Sequence, residues 1–96
     1  INNVNKLNKS GKEDISIALE QITRAINESD LNHELKKGCL DHLDLLSAEA
    51  LKSQDKRLHK SIFSTLINHG IASYLVAGEL AEVWSFYEPN LNKFFL

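Results

Sequence analysis

Between residues 13 and 51 apolar side chains return every third or fourth position, and this spacing restricts the possible folds more than any other feature. Ile15, Leu19, Ile22, Ala25 and Ile26 share one side of a helical wheel, with Glu20, Gln21 and Arg24 opposite. A strand would need alternation with a period of two, which no segment of the chain shows. The spacing therefore predicts a helix over about 12–28. Ser10, three residues before Glu13, has the spacing of a capping box, and Asp14 is a second candidate near the helix start.

Asn27, Glu28, Ser29 and Asp30 interrupt the pattern, and Ser29 or Asp30 is suited to cap the next helix. Leu31, Leu35, Cys39, Leu43, Leu46 and Ala50 then form a second stripe, predicting a helix over about 31–52 with Lys36, Lys37, Asp41 and Asp44 outside it. Gly38 falls on the flank of that stripe, where a missing side chain permits close helix approach at some cost in helix propensity. So short a turn between two amphipathic helices predicts an antiparallel αα-hairpin.

Ser53, Gln54 and Asp55 make the next polar break, and Leu58, Ile62, Phe63, Leu66 and Ile67 predict a third helix. Asn68-His69-Gly70 reads as its stop, with Gly70 in a left-handed cap. Apolar residues resume at once with Ile71, Tyr74, Leu75, Leu80, Val83 and Trp84. The choice is between a fourth helix from about residue 71 and one long helix bent at Gly70, and the break is preferred. Pro89 is expected to end the helical run, leaving Leu91, Phe94, Phe95 and Leu96 as an apolar tail. The fold class is all-α: a small antiparallel bundle of about four helices in two αα-hairpins. Ninety-six residues allow one domain with a modest core.

Residues 1–12, INNVNKLNKSGK, hold four Asn and three Lys, and read as a flexible, weakly basic linker ahead of a bundle domain at 13–96. No methionine occurs anywhere, so the chain is expected to be a piece of a longer protein. The opening residues lack the apolar core of a signal peptide. A single cysteine excludes an internal disulfide framework and fits a reducing compartment, which points to the cytoplasm.

The residues that could carry chemistry lack the necessary neighbours. Ser61–Gly78 is an uncharged run near the length of a membrane span, but Asn68, His69 and four hydroxyl side chains make that placement costly. Cys39 and His42 are three apart and offer two metal ligands where structural zinc needs four. Cys39 lies mid-helix, away from any helix N-terminus that would depress its pKa. Four glycines form no phosphate loop. Lys52, Lys56 and Lys60, extended by Arg57, make a short basic ridge, too small for nucleic acid in a chain of net charge −2. His33-Glu34-Leu35-Lys36-Lys37-Gly38 approaches the motif of histidine phosphotransfer domains. The glycine comes one residue late, about 100° around the helix from the position that would clear space for the imidazole. An enzyme whose polar residues converge only in space offers no residues to name.

Five of the seven aromatics, Trp84, Phe86, Tyr87, Phe94 and Phe95, lie in the last thirteen residues, more than two hairpins need to close a core. Gly70, Ala77, Gly78, Ala81 and Ser85 put small residues mostly on one side of the preceding helix, which suits close backbone packing inside the bundle or between subunits. The expected contact surface is Gly70, Tyr74, Ala77, Gly78, Ala81, Trp84, Phe94 and Phe95.

The segments LEQITRAINESDL, ELKKGCLDHLDLLSAEALK and SIFSTLINHG, with the terminal FF, together resemble a helical C-terminal region attached to many uncharacterised bacterial proteins. That resemblance implies an accessory or oligomerisation module and carries over no catalytic residue. The functional expectation is a non-catalytic helical interaction module that forms a homodimer or docks a partner protein. It would need no cofactor, metal or small-molecule ligand, and bind neither nucleic acid nor membrane. The alternative is a phosphotransfer-like signalling domain using His33.

Overall fold

The computed structural model describes residues 2–8 and 12–96, which are helical and contain no strand. The helices are α1 (Asn2–Asn8), α2 (Glu13–Asn27), α3 (His33–Leu51), α4 (Lys60–Thr65) and α5 (Gly78–Phe95). A 3-10 turn at Gln54–Lys56 precedes α4, which runs on into a π-helical turn over Leu66–Ile71 and a 3-10 turn over Ala72–Tyr74.

The two amphipathic stripes become the centre of the core. Ile15, Ala18, Leu19, Ile22 and Ile26 of α2 are buried against Cys39, Leu43, Leu46 and Ala50 of α3. Full burial of each large aliphatic side chain is worth about 1.5–3 kcal/mol. Lys12, just before α2, reaches the Ala50 carbonyl near the end of α3, while Lys36, early in α3, donates to the Asn27 carbonyl at 3.2 Å. The two helices therefore run antiparallel. On the other flank of α2, Asp14 and Ile15 share a cavity with Asn90 and Lys93, and Ala25 and Glu28 share one with Ala77 and Leu80. α5 is thus also antiparallel to α2, and it packs chiefly there rather than on α4.

The caps differ from those the sequence suggests. Ser10 lies outside the described residues. Lys12 occupies the position before α2 without a side-chain cap. At α3 the cap is Asn32, whose side-chain oxygen accepts the Leu35 amide at 2.9 Å. Ser29 is engaged elsewhere, donating to the Ile26 carbonyl at 2.7 Å and so closing the end of α2.

Residues 2–8, read from composition as linker, form α1. Leu7 is fully buried there, and Asn3 donates its backbone amide and its side-chain amide to the Asp44 carboxylate on α3. Composition missed this because two apolar residues, Val4 and Leu7, are too few to establish a period among the four Asn of this segment.

Pro89 does not end the helical run; α5 continues through it to Phe95. An internal proline costs about 3 kcal/mol in a helix. Leu91 and Phe95, both beyond it, are buried, and at about 1.5–3 kcal/mol each they offset that cost.

Gly70 does not cap a helix either. The backbone turns through it in the π-helical stretch, and the break comes at residues 75–77. Among the described residues the positive φ belongs to Gly78, at 62°, in the first turn of α5. Gly38 makes no close approach, since a β-carbon there would meet nothing within 4 Å. Leu58 and Ile62 are exposed, because α4 begins only at Lys60 and buries Phe63 alone.

The end of α3 has no basic residue in its last turn and no glycine cap. Its free carbonyls are met from outside: Lys12 takes Ala50, and Arg57 takes Glu49 at 3.0 Å, Lys52 at 3.2 Å and Ala50 at 3.3 Å. Cations at this end also complement the helix dipole. The buried Glu49 side chain accepts the Leu58 amide at 2.8 Å and pairs with Lys52, pinning the loop that follows.

Candidate interaction surface

The eight residues expected to form one contact surface divide into two groups. Trp84 and Phe95 are buried members of the core, and Phe95 stacks on Phe63 with ring centroids 4.8 Å apart. Gly70 is also committed inward, against His42 of α3. Phe94 is half-buried, edge-on to Phe95 at 4.9 Å, with the Arg57 guanidinium 4.4 Å from its ring centroid. Tyr74, Ala77 and Gly78 are exposed and Ala81 is half-buried, so these four remain at the surface.

Two residues outside the expected set dominate that surface. Val76 is 72% exposed and Phe86 is 73% exposed. Phe86 has one ring contact, an edge-on approach to Tyr87 at 4.8 Å, and it borders a shallow depression with Ala81, Glu82 and Ser85. The helical wheel of α5 carried the signal: Glu79, Glu82, Phe86, Asn90 and Lys93 share one side, making Phe86 an aromatic on the solvated face. Counting aromatics toward the chain end obscured this, because Trp84 and Phe86 lie two residues apart on different faces.

Next to this surface, a cleft of about 420 Å³ opens between the end of α2 and the start of α5. Its walls include Glu28, Asp30 and Glu79, with Leu31 and Leu80 supplying the apolar part.

The polar residues singled out in the sequence are dispersed. His33 opens α3 and is exposed; Lys36 is held by the Asn27 carbonyl and Lys37 by Asp41 at 3.1 Å. Burial raises the Cys39 pKa and keeps the thiol protonated. His42 packs against Gly70, and His59 accepts the Ser61 amide as the cap of α4. Among the described residues no three His, Cys, Asp or Glu side chains gather where a metal ion would reach them. Among those residues, too, no helix is long and apolar enough to cross a membrane.

The basic ridge is rearranged as well. Lys52 is tied to Glu49 and Arg57 turns inward to Phe94, leaving Lys56 and Lys60 exposed. Compared with family models, characterised proteins and solved structures, the chain matches none.

Proposed function

We propose that the chain is a non-catalytic protein-interaction module, an antiparallel four-helix bundle that self-associates or docks a partner through the segment from Tyr74 to Phe86. The observation behind this reading is the exposure of Val76 and Phe86 on either side of the small residues Ala77, Gly78 and Ala81. Burying a side chain of this kind in a contact is worth up to about 1.5–3 kcal/mol. Aromatic side chains are effective anchors in buried contacts. The free, buried Cys39 suits a reducing compartment, and the module is read as an accessory domain of a larger bacterial cytoplasmic protein.

Sedimentation of the wild type and of the Val76→Asp/Phe86→Glu double variant at micromolar concentration tests the reading. Association of the wild type, weakened at least about tenfold in the variant, supports it. A wild type that is monomeric throughout, with hydrodynamics the double variant does not change, counts against it.

A further inference from the structure

A second recess lies at the opposite end of α5, away from the Val76–Phe86 surface. It encloses about 210 Å³, with Leu58, Phe94 and Leu96 as its accessible apolar part over the buried Phe63 and Phe95, and Arg57, Lys60 and Lys93 as its charged part. No carboxylate side chain lines it among the described residues, although acidic residues outnumber basic ones in the whole chain, 13 to 11. Lys60 and Lys93 have no ion pair among the described residues. Asp14 shares a neighbouring cavity with Lys93 but does not pair with it.

Arg57 is fixed in place. Three carbonyls at the end of α3 hold its guanidinium, Glu49 pins the adjoining Leu58 amide, and the Phe94 ring lies beneath the cation at 4.4 Å. The Phe63–Phe95 and Phe94–Phe95 contacts, at 4.8 and 4.9 Å, hold the aromatic floor in the same way. The recess is therefore preorganised on its aromatic and Arg57 side, with two exposed lysines free to close over a ligand.

Size and charge select the occupant. Small-molecule sites usually enclose about 300–1,000 Å³. At 210 Å³ this recess suits one side chain of a larger partner better than a whole cofactor. Two lysines without ion pairs beside Arg57, in a recess that no acidic side chain lines among the described residues, complement negative charge around that side chain. A single nucleic-acid strand would need open aromatic faces and a longer basic track. Here Phe95 is buried and Arg57 covers Phe94.

We propose that this recess binds an acidic protein segment, one apolar side chain of which seats among Leu58, Phe94 and Leu96 while neighbouring carboxylates meet Arg57, Lys60 and Lys93. The proposal deepens the interaction-module reading and rests on it, but uses a different surface.

The test is a titration of the isotope-labelled full chain with a fluorescent peptide in which one phenylalanine is flanked by aspartates and glutamates. Three probes accompany it: a peptide with Asn and Gln flanks, one with alanine in place of phenylalanine, and a single-stranded oligonucleotide. The expected result is saturable binding with amide shifts at residues 57–63 and 93–95. Affinity should fall at least about tenfold in the Lys60→Glu/Lys93→Glu variant, and also fall with added salt. Both lysines are exposed, so circular dichroism of that variant should match the wild type. Equal binding by the Asn/Gln peptide, tighter binding by the oligonucleotide, or unmoved amides at those residues would overturn the proposal. If those amides stay still while Phe86→Glu weakens self-association, the recess proposal fails alone and the module reading stands. If the peptide binds in the recess while Val76→Asp/Phe86→Glu leaves association unchanged, the proposed Tyr74–Phe86 surface fails and the recess is retained.

Discussion

A β-carbon on Gly70 would stand 3.1 Å from Cδ2 and 3.2 Å from Nε2 of His42, so the π-helical turn rests its backbone against an imidazole on α3. That separation is tighter than ordinary van der Waals contact, and the half-buried ring must shift if position 70 gains a side chain. Leucine at position 70 should cost about 1–3 kcal/mol through overpacking. Alanine there should be tolerated, and in a His42→Ala background it should stabilise by up to about 1 kcal/mol, the ordinary gain of alanine over glycine in a helix. Urea unfolding of the two single variants and the double variant measures this coupling. Strict additivity would show that the close approach has no energetic consequence.

Glu49 gives a dependence on pH. Burial opposes its ionisation, but the hydrogen bonds from Lys52 and the Leu58 amide, with the charges of Lys52 and Arg57, outweigh that and hold its pKa below the ordinary 4.5. A carboxyl with a depressed folded pKa releases its proton more readily in the folded state, so stability rises with pH. The contribution is therefore complete above the ordinary value and is lost as pH falls through the lower folded one. Glu49→Gln should cost about 1–3 kcal/mol at neutral pH. It should also flatten the acid limb of a stability–pH curve measured by denaturant unfolding.

Leu7 decides whether the first residues belong to the folded unit. Leu7→Ala should destabilise by about 2–5 kcal/mol, as expected for a buried leucine in a packed core. A segment acting only as a tether would show a change near zero in the same thermal melt.

Pro89 is exposed within α5, where it cannot donate a hydrogen bond to the turn before it. Pro89→Ala should raise stability by about 1–3 kcal/mol, the helix gain being reduced by the greater freedom of the unfolded chain. Unchanged or lower stability in guanidinium titrations would contradict this.

Trp84 and Phe86 should separate stability from association. Trp84→Ala should cost about 3–5 kcal/mol because the side chain closes the core. Phe86→Ser should leave stability within about 0.5 kcal/mol while weakening self-association, read by melting and by sedimentation on the same samples.

The helical class and the two central helices were legible in the sequence. The expected spans of about 12–28 and 31–52 meet α2 and α3 within two residues at each end. The core side of α2, at Ile15, Leu19, Ile22 and Ile26, follows directly from the spacing. The polar residues were harder to place. Nothing in the local pattern marks Glu49 as buried, because its partners are the amide of Leu58 and a loop lysine. The contact surface was legible only as a region. Residue counting could not separate the inward Trp84 from the outward Phe86, although the wheel of α5 could.

The sequence by itself determined that the two central segments become amphipathic helices and which side of α2 and α3 seeks the core. That information is local, carried by side chains three and four residues apart on one helix. Tertiary structure decided what depends on distant partners. α1 docks through Asn3 on Asp44, 41 residues away, and Gly70 lies against His42. α5 runs through Pro89 because Leu91 and Phe95 reach the core beyond it. In each case a weak local preference is overruled by burial or hydrogen bonding of comparable or larger free energy, and only packing decides where those partners stand.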